Sequence, residues 1–113
     1  MTKQQLIKYL TNFGFTTSQA KLYVAGLTLK KTLMAELART ANIHRTTAYY
    51  LMEELQRRGF FRTQPVRRRT YYIAISPQQF LLMVKKRDQI AQKILPVLKS
   101  IYNRQVIFKK RIK

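Results

Sequence analysis

At Gly59 the chain changes period, and that change limits its possible folds more than any other feature. Over residues 44–58, Ala48, Met52 and Leu55 recur at helical spacing, and Gly59 stands where a helix favours glycine, just past its end. Residues 60–64 and 70–75 instead alternate and are rich in strand formers. Between them lies Pro65-Val66-Arg67-Arg68-Arg69, so the segment is predicted to be a β-hairpin whose tip carries three adjacent arginines. Upstream, Ala41-Asn42-Ile43 reads as a tight connection, because asparagine tolerates the left-handed backbone such turns need. Residues 33–40 read as a short helix with Leu37 and Ala38 facing inward. Lys30-Lys31-Thr32 before it reads as a turn with Thr32 as cap.

The flanks extend this pattern. Leu6, Ile7, Leu10 and Phe13 predict a helix over residues 3–13, ended by Gly14. Thr16 and Gln19 are spaced as a capping box for the next helix, whose inward face is expected to hold Ala20, Tyr23, Val24 and Leu27. Gly26 weakens that helix by roughly 1 kcal/mol relative to alanine, and close packing against a neighbour would account for it. Ser76 and Pro77 open a long helix expected to reach about residue 103, with Pro96 kinking or dividing it. Its apolar stripe runs through Phe80, Val84, Ile90, Ile94, Val97, Ile101 and Phe108. So small a body cannot cover a stripe that long, so Ile90, Ile94, Val97, Leu98, Ile101 and Phe108 are expected to form a homodimer seam. The fold class is mostly α with a small β-hairpin. Residues 1–76 are expected to form a winged helix-turn-helix domain, and residues 77–113 a long dimerisation helix with a basic tail.

Charge narrows the function. Lys plus Arg number 23 against 4 acids, a formal net charge of +19 over 113 residues, and self-repulsion on that scale calls for a polyanion. Nucleic acid is the expected partner, with an anionic membrane or ribosomal RNA as the competitors. No apolar run is long enough to span a membrane, and MTKQQLIKYL reads as an amphipathic helix rather than a signal peptide, so the cytoplasm, at the nucleoid, is the expected location. Cysteine is absent, which removes disulfides and thiolate metal sites. Catalysis finds no support: Glu53 and Glu54 diverge on their helix, Glu36 and Asp88 stand apart, and the glycines are isolated. No enzyme activity, metal, cofactor or small-molecule effector is expected.

The helix over residues 44–58 carries the candidate site. His44, Arg45, Thr46, Thr47, Tyr49 and Tyr50 crowd its leading end, away from the apolar face. The leading end of a recognition helix enters the DNA major groove. Arg45 suits guanine O6 and N7, and Thr46 and Thr47 suit phosphate oxygens or a thymine methyl. Tyr49 and Tyr50 suit phosphate or sugar, and His44 is a phosphate neighbour. Arg67, Arg68 and Arg69 would reach a flanking minor groove or backbone. Glu53 and Glu54 sit about two turns in, where the helix should leave the groove. The plain alternatives are a solvated helix head, a solvated loop, a partly buried Tyr49, and one of Tyr71 and Tyr72 being structural. Residues 109–113 read as a solvated basic tail or as further phosphate contacts.

Three stretches, FGFTTSQAKLYVAGL, AELARTANIHRTTAYYLMEELQRRGF and YYIAISPQQFL, carry a resemblance. Residues 6–97 resemble the N-terminal winged-helix domain of the TrmB family of archaeal and bacterial transcriptional regulators. Arg45, Thr46, Thr47 and Tyr49 form its most specific part. The resemblance implies DNA binding, and pairing through the long helix in short members. Tyr50 stands where the family has a basic residue, and Lys31 near a family turn residue. Many members continue into a sugar-sensing domain; this sequence ends at Lys113, so a sugar response is not expected. Three readings stay open. One is a sequence-specific regulator of double-stranded DNA; another is a nucleoid-associated, chromatin-like protein that coats DNA with little specificity. An RNA-bound structural partner is a third.

Overall fold

In the computed structural model, residues 1–104 are described in full and the last helix is followed to Ile112. The chain forms two compact units, Met1–Ser76 and Pro77–Lys113. The first contains α1 (Lys3–Thr11), α2 (Thr17–Leu29), β1 (Lys31–Thr32), α3 (Met34–Ala41), α4 (Arg45–Arg57), β2 (Phe61–Val66) and β3 (Arg69–Ala74). The second is one helix, α5 (Pro77–Ile112).

The helix ends are set by local chemistry. Thr16 and Gln19 form the expected capping box: the Gln19 amide donates to the Thr16 hydroxyl, and the Thr16 amide donates to the Gln19 side chain. Thr2 and Gln5 repeat the device at α1, a box the sequence reading did not identify. Asn42 (φ 57°, ψ 49°) ends α3 in the left-handed conformation, and the Ile43 amide donates back to the Ala38 carbonyl at 2.9 Å. Gly59 (φ +85°) ends α4 the same way, with the Phe60 amide on the Leu55 carbonyl at 2.8 Å. These paired six-to-one closures fix the directions in which the chain enters and leaves α4.

The sheet is larger than a hairpin. Strand order is β1-β3-β2, antiparallel throughout, with Lys31 opposite Ile73, Thr32 opposite Tyr72, and Phe61 opposite Ala74. Thr32 is thus a buried strand residue, not the α3 cap; the cap position is Leu33, without a side-chain cap bond. Lys30 turns the chain in a left-handed conformation (φ 68°). The hairpin turn is tighter than expected: Pro65 and Val66 belong to β2, leaving Arg67 (φ 58°) and Arg68 to make it. Pro65 is tolerated because β2 is an edge strand.

The core lies between α2, α3, α4 and the sheet. Leu22, Leu37, Met52 and Leu55 are its largest fully buried side chains. Ala38 and Ala48 are buried as the helical spacing predicts, and Ile43 is half-buried at the turn. On α2 the buried set is Gln19, Ala20, Leu22, Tyr23, Ala25 and Gly26, while Val24 and Leu27 are only half-buried. The helix is covered on more than one side, so a single stripe underestimates its burial. Phe15, Tyr23, Phe60 and Phe61 form an aromatic cluster, with the Phe15 and Phe60 rings 4.5 Å apart. The Tyr23 hydroxyl donates to the Ile75 carbonyl at 3.0 Å, and burial pushes its phenol up to about 12. Arg58 joins the C-terminal end of α4 to the α1–α2 connection. Its guanidinium donates to the Gly14 and Phe13 carbonyls at 2.9 and 3.1 Å and lies over the Phe15 and Phe60 rings.

Helix α5 begins at Pro77, as the sequence predicts, and Pro96 does not divide it: the helix is continuous through that position. A proline removes only one helical donor from a helix of 36 residues. Among the described residues, no helix is long and apolar enough to cross a membrane, and no cluster of His, Asp or Glu could hold a metal.

Candidate nucleic-acid interface

The turn at Asn42 aims α4 outward while its inner face stays in the core. Ala48, Met52 and Leu55 are buried, and by helical periodicity the leading residues fall on the opposite side. His44, Arg45, Thr46, Thr47, Tyr49 and Tyr50 are all exposed, Tyr49 to 44% and Tyr50 to 76%, so neither tyrosine is a core residue. His44 occupies the cap position of α4 without a side-chain cap bond. The first-turn amides of α4 therefore have no side-chain acceptor there, and a helix N-terminus in that condition favours an anion.

The hairpin meets this helix across an open groove of about 420 Å³. Arg45 and Tyr49 line it from α4, Arg68, Arg69, Thr70 and Tyr72 from the hairpin, and Leu33, Met34 and Ala35 from the start of α3. Four of the nine expected site residues, Arg45, Tyr49, Arg68 and Arg69, thus share one concave surface. The Arg45 guanidinium lies 5.9 Å from the centre of the Tyr49 ring, a cation–π arrangement. Burial, followed by the nearby Tyr49 phenol, raises the pKa of Tyr72. Arg67 lies on the hairpin turn and lines a second depression with Val66, Arg68, Arg69 and Tyr71. His44, Thr46, Thr47 and Tyr50 are on the exposed head of α4 and do not line the groove.

Electrostatically the groove is uncompensated. The ion pairs among the described residues are Glu36 with Arg39 and Glu54 with Arg57, each three residues apart on one helix. Neither involves Arg45 or the hairpin arginines. Glu53 and Glu54 lie two turns along α4, leaving its leading end without a carboxylate, as the sequence suggested.

Sequence reasoning missed Thr70, Tyr72 and the start of α3. Tyr71 and Tyr72 do alternate, but neither enters the core; both are half-buried, Tyr72 in the groove and Tyr71 beneath Lys31. The pairing of Phe61 with Ala74 decides which is which, since it sets the inward parity of β3. In α5, Ile90, Ile94, Val97, Leu98 and Ile101 are exposed to 47–59%. Phe108, the remaining expected seam residue, lies outside the described residues, as does the basic tail.

Residues 10–78 match the family model described as "Sugar-specific transcriptional regulator TrmB". No curated protein sequence matches the chain. Among solved structures, TrmBL2, described as an archaeal chromatin protein with a novel mode of DNA binding, superposes with a TM-score of 0.82 at 20% identity. That match covers 99% of this chain and 43% of the TrmBL2 chain, so the present sequence spans less than half the length of that relative. The transcriptional regulator PA4135 gives 0.54 at 21% identity, covering 92% of this chain and 83% of its own. MepR, a transcription regulator of the Staphylococcus aureus multidrug efflux pump MepA, gives 0.50 at 17% identity, with 88% and 89% covered. These likenesses establish a winged-helix fold.

Proposed function

The chain belongs to the TrmB family of transcriptional regulators, and on that premise we propose that it binds double-stranded DNA as a sequence-reading homodimer. In this reading the leading end of α4 enters a major groove. Arg45 reads guanine there, and Thr46, Thr47 and Tyr50 hold the adjoining phosphates. Arg67, Arg68 and Arg69 lie along the flanking backbone or minor groove. The observation that carries the proposal is the shared groove: Arg45 and Tyr49 of α4 face Arg68 and Arg69 of the hairpin across a concave surface free of carboxylates. A duplex seated there meets base-reading and phosphate-holding cations together. The likeness to TrmBL2 and MepR, a chromatin protein and a transcription regulator, agrees with a nucleic-acid partner.

The net charge of +19, with basic residues in both units, favours a second reading, in which the protein coats DNA with little regard to sequence. Salt titration on a selected duplex and on random duplex separates the two. The expected result is a gap of at least about 10³ in affinity at physiological salt, the lower bound for specific readers. Superimposed curves with a steep salt slope would instead establish coating.

Dimer formation rests on α5. Exposed Ile90, Ile94, Val97 and Ile101 recur at steps of four, three and four, the spacing of a two-helix seam. Placing a charge at its middle, as Ile94→Glu with Val97→Glu, is expected to convert the dimer to monomer in sedimentation equilibrium at micromolar concentration. An unchanged mass would move the dimer contact elsewhere.

A further inference from the structure

The sheet has a second face, and the groove draws on it only through Arg69 at the hairpin end. Phe61 and Ala74 are opposite one another and point inward, where the Ala74 methyl approaches Gly26. Tyr72 and Thr70 follow on the same side by alternation, in the groove beside α4. The intervening residues belong to the outer face. These are Ile73, Tyr71 and Arg69 on β3, Arg62, Gln64 and Val66 opposite them on β2, and Lys31 opposite Ile73 on β1. Lys31 and Arg62 are exposed and flank Ile73, one from each neighbouring strand. The Lys31 ammonium sits 5.0 Å from the centre of the Tyr71 ring, which holds the cation above the sheet. Tyr71, Arg69 and Arg67 also line the depression of about 610 Å³ at the far end of this face. No described carboxylate is paired with any of these cations; the two ion pairs both lie within helices.

We infer that this outer face, built on Lys31, Arg62 and Tyr71, docks the phosphate backbone of a second DNA duplex while the α4 groove, Arg69 included, holds the first. The inference rests on the DNA-binding reading above. Charge complementarity selects a polyanion. An acidic protein partner is less well served, because Tyr71 is already occupied by Lys31 and the remaining apolar surface, Val66 and a half-buried Ile73, offers no aromatic anchor. A single strand is less well served for the same reason, since base stacking needs a free aromatic face. Separate exposed cations fit phosphate, and being on the opposite side of the sheet they face a different duplex. One protomer then bridges two DNA segments without help from a partner.

The test uses the full chain and a duplex of about 12 bp, little more than one helical turn and so too short to wrap from one face to the other. Duplexes bound per protomer are counted by native mass spectrometry and sedimentation at low salt. Wild type is expected to take two and the Lys31→Ala/Arg62→Ala variant one. Affinity for the first duplex should stay within about twofold, which also reports that the variant is folded. The wild-type second step should weaken with salt at a log–log slope of about two, one unit for each of Lys31 and Arg62. One duplex per wild-type protomer would overturn the inference, as would a second duplex retained by the variant. Displacement of the second duplex by an equal-length single strand would overturn its assignment to duplex DNA. If no duplex binds at all, the DNA-binding reading fails, an outcome distinct from the single duplex that would sink the second site alone.

Discussion

Replacing Gly26 by valine is expected to lower the melting temperature of the Met1–Ser76 unit by roughly 10–20 °C. At an uncrowded helical position the change would do the reverse, because glycine costs about 1 kcal/mol relative to alanine in a helix interior. Here a Cβ built on Gly26 would stand 2.7 Å from the Phe61 ring and 2.9 Å from the Ala74 methyl. Neither neighbour can give way cheaply. Phe61 is 3% exposed within the aromatic cluster, and the Ala74 methyl is fixed by the backbone of the central strand, which is bonded on both sides. Overpacking of this kind costs about 1–3 kcal/mol, and valine brings two further methyls to the upper end of that range. For a domain of this size, each kcal/mol moves the midpoint by about 4–8 °C. Gly26→Ala should be milder, since the helix-propensity gain offsets part of the clash. Calorimetry of both variants decides the matter by sign: a rise in both midpoints would mean that the sheet does not press on α2 at this point.

The same glycine shows what the sequence could and could not reveal. Its cost to α2 was plain from residue type, but its cause lies 35 and 48 residues away, at Phe61 and Ala74, and no local pattern reports a contact over that distance. The helix boundaries were legible because their causes are local: the Thr16–Gln19 box, Asn42 in the left-handed region, and Gly59 after the last turn of α4. Strand β1 was not legible. Two residues carry no period, and they are extended only because β3 offers them an edge to pair with. The candidate site divides along the same line. Arg45 and the arginine trio stood out by charge and by position relative to the period change. Tyr72 and Thr70 depend on the parity of β3, which is set by which residue meets Phe61. Lys31 became part of a surface only once the third strand was present to place it beside Tyr71.

Removing the groove cations is expected to have the largest effect on DNA affinity, and the three arginines should be lost in distinguishable ways. Arg45→Ala should cost about 1–3 kcal/mol against the preferred sequence and relax preference at one base pair, with little change on random duplex. Its guanidinium is directed by the Tyr49 ring and has no carboxylate partner, so truncation exposes no buried counter-charge. Arg68→Ala with Arg69→Ala should weaken all sequences alike and lower the salt slope by about two units, because phosphate contacts release counterions without reading bases. The triple variant should bind the preferred duplex about 3–4 kcal/mol more weakly, a loss of roughly a few hundredfold or more. All three side chains are exposed, so the fold should be unaffected and the melting temperature should stay within a few degrees. If Arg45→Ala instead behaves as the hairpin pair does, losing affinity uniformly with a shallower salt slope, then α4 meets the backbone rather than the bases. The groove would in that case belong to a protein that coats DNA.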